Sequence, residues 1–396
     1  MRTPTLSLLS LPDELLEPIA ALVAGRGHRS ADAARLASTC RRLHRIAMPL
    51  AFQSLAVELG FRQFDCGPSV PPSRRQVEAQ MENRIQVSDI ISRYGSTVSA
   101  LDLRLADADE DHSPQICEWL RQCSDLRNIH FEACHKLNGG LAYWEDIALI
   151  LEAISSLRGD SLRKFSYTQN SVTQPFISHH LVDILKHCRQ LEAFNVISPL
   201  WPDPDTKDDL EPVLQQAHSL KKLYLYFFQG FAYPELNSAL PVPPLTTISL
   251  IVSDRNWQTV YDLLSAVSAT LRKAYLFGSS PPNHNVLPLV LPHLDTLILH
   301  SNLHTLGLID PRSPVVHTNL LDIPAAHNVE PFYAGQPIKT WKSLSIPRGR
   351  NTSTNTLTAA EQKQKQELQD WTTSRGILLS YEKFNLGEFT GHDGVF

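Results

Sequence analysis

The chain has 396 residues, of which 42% are apolar and 19% are charged, and its formal net charge at pH 7 is −5. This composition supports a large packed core and argues against global disorder. The mildly acidic balance also argues against general binding to nucleic acids or anionic membranes, because both require a dominant basic surface.

The sequence carries no pattern of a membrane or secreted protein. No stretch approaches the roughly 20 uncharged apolar residues that a membrane span requires. Asp13 and Glu14 follow the short run Leu6–Leu11 without a cleavage site, so we do not predict a signal peptide. All six cysteines lie within the first 188 residues, and a chain of this length does not need disulfides. We therefore expect reduced thiols and a cytoplasmic or nuclear location.

The first fifty residues have the pattern of short amphipathic helices. Pro12, Asp13 and Glu14 are typical of a first helical turn, where a missing N–H does no harm and acidic side chains face the positive end of the helix dipole. Pro18 predicts a kink or a short break in this helix. Apolar residues recur at helical spacing in two stripes, the first at Leu11, Leu15, Ile19 and Leu22 and the second at Leu36, Cys40, Leu43, Ala47 and Leu50.

Two or three short helices within about forty residues cannot bury their apolar stripes well. We expect this module to complete its core against other residues. Those residues could belong to the rest of the chain or to a partner protein.

An apolar triplet of the form Leu-x-x-Leu-x-Leu recurs from residue 98 onward. The starts of successive triplets are 23 to 36 residues apart, close to the period of about 20–29 residues expected of leucine-rich repeats. The triplets are Val98-Leu101-Leu103, Leu126-Ile129-Phe131, Leu162-Phe165-Tyr167, Leu191-Phe194-Val196, Leu220-Leu223-Leu225, Leu245-Ile248-Leu250, Leu271-Ala274-Leu276, Leu294-Leu297-Leu299, and two weaker ones, Thr318-Leu321-Ile323 and Trp341-Leu344-Ile346.

Amphipathic segments between the triplets predict helices outside a parallel sheet. Their predicted bounds are residues 74–95, 113–123, 143–157, 176–188, 256–267 and 358–373, and a last strand is predicted at 377–381. Strands at this spacing with intervening helices predict an α/β fold, a curved solenoid with a parallel inner sheet and outer helices.

No motif indicates catalysis. The sequence contains no His-Glu-x-x-His, Gly-x-x-x-x-Gly-Lys-Ser/Thr or Gly-x-Ser-x-Gly motif. Cys117, Cys123, Cys134 and His135 lack the closely spaced pairs of a structural zinc site. We therefore predict that the protein is not an enzyme and has no catalytic residues, no metal and no cofactor.

Aromatic side chains in the middle of the predicted sheet are candidate contacts for a protein ligand. They are Tyr224, Tyr226, Tyr275 and Phe277, at positions that alternate with the triplet residues. Aromatic residues are frequent energetic anchors of interfaces, but they could also cover the sheet or pack under a loop. The same strands begin with a basic group that suits an acidic or phosphorylated ligand, namely Lys221, Lys222, Arg272 and Lys273.

The N-terminal residues resemble an F-box over roughly residues 8–54. The resemblance is carried by Leu11-Pro12-Asp13-Glu14-Leu15 together with Ser38-Thr39-Cys40-Arg41-Arg42-Leu43-His44. Residues 55–396 resemble a degenerate leucine-rich-repeat domain with a closing helix and strand. The whole chain is thus similar to fungal-type F-box/leucine-rich-repeat proteins, with an F-box helical module at 1–54 and a solenoid at 55–396.

The resemblance implies a substrate-recognition adaptor of a Skp–cullin–F-box ubiquitin ligase. The F-box would dock onto the Skp-family adaptor, and through it onto a cullin–RING ligase, while the repeats bind a protein substrate for ubiquitylation. By residue match, docking would be carried by Leu11, Pro12, Leu15, Ile19, Leu22, Leu36, Cys40 and Leu43.

Two other functions remain open from the sequence. The chain could be a protein-interaction scaffold with a vestigial F-box and no role in ubiquitylation. It could also regulate a small GTPase, which requires an exposed catalytic arginine or asparagine, and Arg104 is the candidate.

Overall fold

A computed structural model of the chain describes residues 11–24, 30–59, 74–106, 112–134, 141–169, 178–198, 214, 216–227, 242–252, 257–278, 288–300, 309–310, 312–320, 340–347 and 359–382. These residues form α-helices and parallel β-strands, so the fold class is α/β. The chain divides into two compact units. Unit 1 comprises Met1–Ser171 with His392–Phe396, and unit 2 comprises Val172–Gly391.

Unit 1 contains a group of helices followed by a parallel sheet. The helices at its start are α1 (Asp13–Ala24), α2 (Ser30–Ala37) and α3 (Arg41–Ala51). The strands are β1 (Ser54–Leu59), β2 (Ala100–Ala106), β3 (Asn128–Cys134) and β4 (Lys164–Gln169), connected in turn by α4 (Arg74–Tyr94), α5 (Ser113–Gln122) and α6 (Leu141–Arg158). Each strand pairs with the next one in the chain.

Unit 2 continues the same alternation with eight paired strands. Its elements are α7 (Ser178–His187), β5 (Ala193–Ser198), β6 (Lys222–Phe227), β7 (Thr247–Val252), α8 (Trp257–Ala266), β8 (Lys273–Gly278), β9 (Thr296–His300), β10 (His317–Leu320), β11 (Ser343–Pro347), α9 (Ala359–Ser374) and β12 (Leu378–Glu382). All of these strands are parallel and pair in chain order. Of the described helices in either unit, none has the length and apolar character needed to cross a membrane.

The helices between the strands confirm the predicted amphipathic segments. The helices α4 to α9 and the closing strand β12 begin and end within two residues of their predicted bounds. The closing elements are joined at Gly376, whose positive φ of 67° suits the one residue without a Cβ.

The second apolar stripe of the N-terminal module forms two helices instead of one. The chain leaves the helical conformation after Ala37, and Cys40 becomes the N-cap of α3 with extended backbone angles. The Cys40 sulfur accepts a hydrogen bond from the Leu43 N–H at 3.5 Å, a bond that competes with a continuous helix. By contrast, helix α1 continues through Pro18 without a break. Pro18 has no N–H to donate to the Glu14 carbonyl, but Pro18 is exposed, so this carbonyl lies near water.

The triplet residues form the core beneath both sheets. In β2 and β3, Leu101, Leu103, Ile129 and Phe131 are at most 1% exposed. The first residue of each triplet from Val98 to Leu294 is equally buried. The positions between the second and third triplet residues are also buried, for example Asp102 at 4%, His130 at 5% and Ser249 at 1% exposed, so the two sides of the strands do not differ sharply in burial.

A repeated hydrogen bond aligns each strand with its neighbour. The carbonyl just before one strand accepts bonds from two consecutive N–H groups at the start of the next strand. The Ser99 carbonyl accepts from Arg127 at 2.9 Å and from Asn128 at 3.0 Å in unit 1. The same arrangement recurs in unit 2 at the carbonyls of Glu192, Lys221, Thr246, Arg272 and Val316, each of which accepts two such bonds. Backbone groups therefore align the starts of these strands.

The predicted triplet Thr318-Leu321-Ile323 is wrong by three residues. Strand β10 pairs Thr318 with Leu297, which is the second residue of its own triplet. The triplet in this turn is therefore Val315-Thr318-Leu320, and Val315 is fully buried. The weaker candidate Trp341-Leu344-Ile346 has the predicted register, because Leu344 pairs with Thr318.

Two adjacent residues of β4 test the assignment of the core. Phe165 is 1% exposed and Lys164 is exposed on the same strand. We predict that Phe165→Ala lowers the free energy of unfolding by about 3–5 kcal/mol, because it removes a buried ring and leaves a cavity. The control Lys164→Ala changes it by less than about 0.5 kcal/mol. Urea unfolding followed by circular dichroism measures both, and equal effects would contradict the assigned register.

Candidate functional site

The three N-terminal helices pack around a small core of their own. We call residues 11–51 the helical head. Its core contains side chains from all three helices, with Leu11, Leu36, Cys40, Met48 and Leu50 packed at its margin and Leu16, Ala20, Ala37, Leu43, Ile46 and Ala47 at its centre. Several of these central residues are alanines, so the apolar area that the core buries is modest.

Helix α1 exposes a second apolar face to solvent. Leu15 is 52% exposed and Leu22 is 79% exposed, while Ile19 between them is half-buried. We call these three residues the α1 stripe. They lie at positions i, i+4 and i+7, which fall on one side of a helix. Val23, at the edge of the stripe, is also exposed.

The core of the head uses a different face of α1. Leu16 and Ala20 are at most 1% exposed and lie about 100° around the helix from Leu15 and Ile19. The helix therefore has apolar side chains on two adjacent faces, of which only one is covered within the described residues.

The eight predicted docking residues fall into different environments. Leu15 and Leu22 are exposed, as is Pro12 just before α1, and Ile19 is half-buried. Leu43 is part of the central core, and Leu11, Leu36 and Cys40 are half-buried at its margin. The structure thus brings Leu15, Ile19 and Leu22 together on one surface, whereas Leu43 packs in the core of the head. The sequence pattern missed Val23, and it missed the role of Leu16 and Ala20, although their spacing of four residues was a usable signal.

Asp13 connects the start of α1 to α3 through ion pairs. Its carboxylate forms ion pairs with Arg42 at 2.6 Å and Arg45 at 2.7 Å. Arg42 also donates a hydrogen bond to the Leu11 carbonyl at 2.7 Å. The hydrogen bond from Arg42 holds the pKa of the Asp13 carboxyl below its usual value, and Arg45 adds to this effect. These contacts fix the orientation in which α1 presents its stripe.

The helical head is joined to the first strands of unit 1 through the end of α3. The rings of Phe52 and Tyr94 stack with their centroids 5.0 Å apart. The Gln53 carbonyl accepts bonds from the Ser99 and Ala100 N–H groups, and the Thr97 hydroxyl donates to the Pro49 carbonyl at 3.4 Å. None of these contacts involves the α1 stripe.

Arg104 lies among carboxylates on the outward face of the unit 1 sheet. It contacts Asp102 at 3.1 Å and Glu132 at 3.5 Å. The hydrogen bond to Asp102 raises the pKa of Arg104. An arginine that completes the active site of a GTPase must extend toward the bound nucleotide, and these ion pairs instead hold Arg104 against its own sheet.

The aromatic candidates of unit 2 are largely buried. Tyr224, Tyr275 and Phe277 are 4%, 6% and 7% exposed, and the rings of the two tyrosines lie 6.4 Å apart in a tilted arrangement. Tyr226 belongs to β6, but its side chain lies outside the described part of the structure. The described rings of Tyr224, Tyr275 and Phe277 therefore offer little accessible surface, and contact of the four candidates with a substrate stays a prediction.

Cys117 and Cys123 are the two cysteines of the considered zinc set whose side chains the structure describes. The described side chains include no group of three or more His, Cys, Asp and Glu residues placed to hold a metal ion. Burial raises the pKa of the Cys123 thiol to about 11, which opposes the deprotonation that zinc binding requires. The Cys134 side chain and His135 lie outside the described residues.

Comparison with known proteins adds no assignment. No protein-family model matches the sequence, and no curated protein is found to be related to it.

The Asp13 ion pairs predict a pH-dependent contribution to stability. Because the folded state lowers the pKa of Asp13, its stabilising effect is present above the ordinary aspartate pKa of about 3.9 and is lost as the pH falls through the lowered value. We predict that Asp13→Asn lowers the melting temperature at pH 7 and that the difference from the unmodified protein disappears as the pH falls well below the ordinary aspartate pKa.

A matched control for this measurement is Asp89→Asn in α4. Its ion pair with Arg93 is longer, at 3.8 Å, and both side chains are about two-thirds exposed. Exposed pairs of this kind contribute little, so the melting temperature of this variant should not change with respect to the unmodified protein. A loss of stability in Asp13→Asn that persists at low pH would contradict the assigned role of the carboxylate.

Proposed function

We propose that the chain is a substrate-recognition adaptor of a Skp–cullin–F-box ubiquitin ligase. In this function the helical head is the F-box and docks onto a Skp-family adaptor, while the strands and helices that follow form a leucine-rich-repeat solenoid that binds a protein substrate. The observation that carries the proposal is the exposed α1 stripe, on a head whose own core is already filled by the other face of the helix.

The energy available from the stripe is large enough for specific docking. Fully burying a leucine side chain contributes on the order of 1.5–3 kcal/mol. Leu15 and Leu22 retain 52% and 79% of their accessible surface, so most of that contribution is still to be gained on binding a partner.

The head also presents the stripe in a defined orientation. The Asp13 ion pairs hold the start of α1 against α3, and the Phe52–Tyr94 stack holds the end of α3 against the end of α4. Binding to a preformed surface costs less conformational entropy than binding that first orders the helix. Arg42 and Arg45, which pair with Asp13, therefore favour docking without contacting the partner.

The second part of the proposed function is capture of a substrate by the parallel strands. The regular pairing of β1 to β4 and of β5 to β12 supports a repeat architecture, in which each turn of chain adds one strand to a continuous surface. Such surfaces bind extended or folded protein ligands by contributions from several neighbouring strands.

The stripe can be tested without disturbing the core. We predict that Leu15→Ala/Leu22→Ala retains the circular dichroism spectrum and the melting temperature of the unmodified protein, since both side chains are exposed. The same variant should no longer co-purify with a purified Skp-family adaptor, because two apolar anchors are lost together.

The matched control is Leu149→Ala in α6. Leu149 is 50% exposed, almost the same fraction as Leu15, but it lies outside the head. This variant should co-purify with the adaptor at the level of the unmodified protein. Undiminished co-purification of the Leu15→Ala/Leu22→Ala variant would refute the docking role, whereas a failure of the unmodified chain to bind any Skp-family adaptor would favour a scaffold without a role in ubiquitylation.

A further inference from the structure

Strand β12 is the last strand in the pairing order of unit 2. It pairs in parallel with β11, and no other described strand pairs with it. Each strand from β6 to β11, by contrast, has a described partner on both sides. One edge of β12 is therefore open among the described strands, and the backbone groups of such an edge can pair with another chain.

The repeated hydrogen bond between strands identifies the backbone groups that lie along this open edge. The Leu378 N–H donates to the Lys342 carbonyl at 2.9 Å, so the backbone groups of Leu378 point toward β11. Successive residues of a strand direct these groups to opposite sides, so those of Leu379 and Tyr381 point toward the open edge. The Ile377 carbonyl lies just before β12, as the Lys342 carbonyl lies just before β11. It is therefore the acceptor at which a further parallel strand would begin.

Apolar side chains beside the open edge are incompletely covered. Leu378 is 69% exposed on the outward face of the sheet. Leu379 occupies the triplet position of Leu344, with which it pairs, but Leu344 is fully buried and Leu379 is only half-buried. A strand added beside β12 would cover Leu379 from the side, as β12 covers Leu344.

Contacts with β11 and α9 hold β12 in place without involving its open edge. The Ser345 and Ser380 hydroxyls form a hydrogen bond of 2.7 Å between β11 and β12. In α9, Leu368 is 1% exposed, and the Trp371 ring packs edge-on against the Trp341 ring with the centroids 6.4 Å apart. The edge is therefore preformed, which lowers the entropy cost of binding a ligand there.

We infer that the open edge of β12 binds an extended segment of another protein, which adds to the sheet as a parallel strand. The Ile377 and Leu379 carbonyls accept hydrogen bonds from N–H groups of alternate residues of the segment. The Leu379 and Tyr381 N–H groups donate to carbonyls of the same residues. Backbone groups thus supply the affinity, and an apolar side chain of the segment covers Leu379. The inference is independent of the proposed function, because strand addition does not involve the helical head.

The length of β12 favours an extended segment over a second copy of this chain as the occupant. The strand has 5 residues and spans about 17 Å. A stable interface between two folded chains needs about 20–30 residues from each side, which an edge of this length does not supply. An extended segment needs much less area, because each residue that faces the edge brings main-chain hydrogen bonds.

The test uses the full-length chain and a labelled peptide with the sequence of residues 220–227. This peptide contains the triplet Leu220-Leu223-Leu225 and the residues of β6, a strand that already pairs in parallel within this sheet. Its register in the sheet places the N–H groups of Lys222 and Tyr224 toward the preceding strand. Fluorescence anisotropy should show that the unmodified peptide binds to the full-length chain.

Methylation of backbone nitrogens distinguishes strand addition from other modes of binding. N-methylation at Lys222 and Tyr224 of the peptide should weaken binding roughly tenfold or more, because both donors to β12 are lost. The matched control is N-methylation at Leu223 and Leu225, whose N–H groups point away from β12. The control peptide has the same composition and should keep the affinity of the unmodified peptide.

A substitution in β12 tests the position of the binding edge. We predict that Leu378→Asp also weakens binding of the unmodified peptide roughly tenfold, because a charge replaces an apolar contact beside the added strand. The melting temperature should not change, since Leu378 is largely exposed. The matched control is Val290→Asp, at a residue of unit 2 that is 38% exposed and lies outside β12, and it should leave the affinity unchanged.

The inference is overturned if the full-length chain does not bind the unmodified peptide, if both N-methylated peptides lose the same affinity, or if Val290→Asp acts as strongly as Leu378→Asp. A dimer in analytical ultracentrifugation that Leu378→Asp abolishes would assign the edge to a second copy and would also overturn it. The docking experiment gives a separate result. The Leu378→Asp variant keeps its α1 stripe and should co-purify with a Skp-family adaptor as the unmodified chain does.

Discussion

The proposed docking surface depends on the incomplete burial of helix α1 within the helical head. The helix carries apolar side chains on two adjacent faces, and the helical head covers only the face that contains Leu16 and Ala20. Several residues of this core are alanines, and each alanine buries little apolar area. The described part of the head therefore has no further apolar side chains that cover Leu15 and Leu22. Ion pairs hold α1 in place, and a protein partner can bury the two exposed leucines that the helix presents.

Most of the fold could be predicted from the sequence because its strands pair in the order in which they occur in the chain. Each strand pairs with the next one along the chain, so the apolar triplet alone specifies both the strand and its buried face. The prediction failed at β10, where Leu320 and Leu321 are adjacent in the sequence and the pattern fits either register. Only the pairing of Thr318 with Leu297 distinguishes the two. The break before α3 was also missed, because Cys40 occupies an apolar position of the stripe while acting as a helix cap.

The candidate sites were less predictable than the fold. Helical spacing identified Leu15, Ile19 and Leu22, and the spacing of Leu16 and Ala20 marks a second apolar face of the same helix. Only packing against α2 and α3 decides which of the two faces enters the core. The rings of Tyr224 and Tyr275 lie near each other across the intervening strand β7, and their separation in the sequence hides this proximity. The basic strand starts were visible in the sequence. Register then separates Lys222 and Lys273, which share the outward face, from Lys221, which is paired with Glu192.

Hydrogen–deuterium exchange of the full-length chain, with and without a purified Skp-family adaptor, tests the central claim most directly. Docking through the α1 stripe should slow exchange of the amides of Asp13–Ala24, since a bound partner holds the helix closed. Amides of α5 and α6, far along the chain from the head, should exchange at the same rate in both samples. Unchanged exchange in α1, or protection confined to the strands of unit 2, would contradict the account.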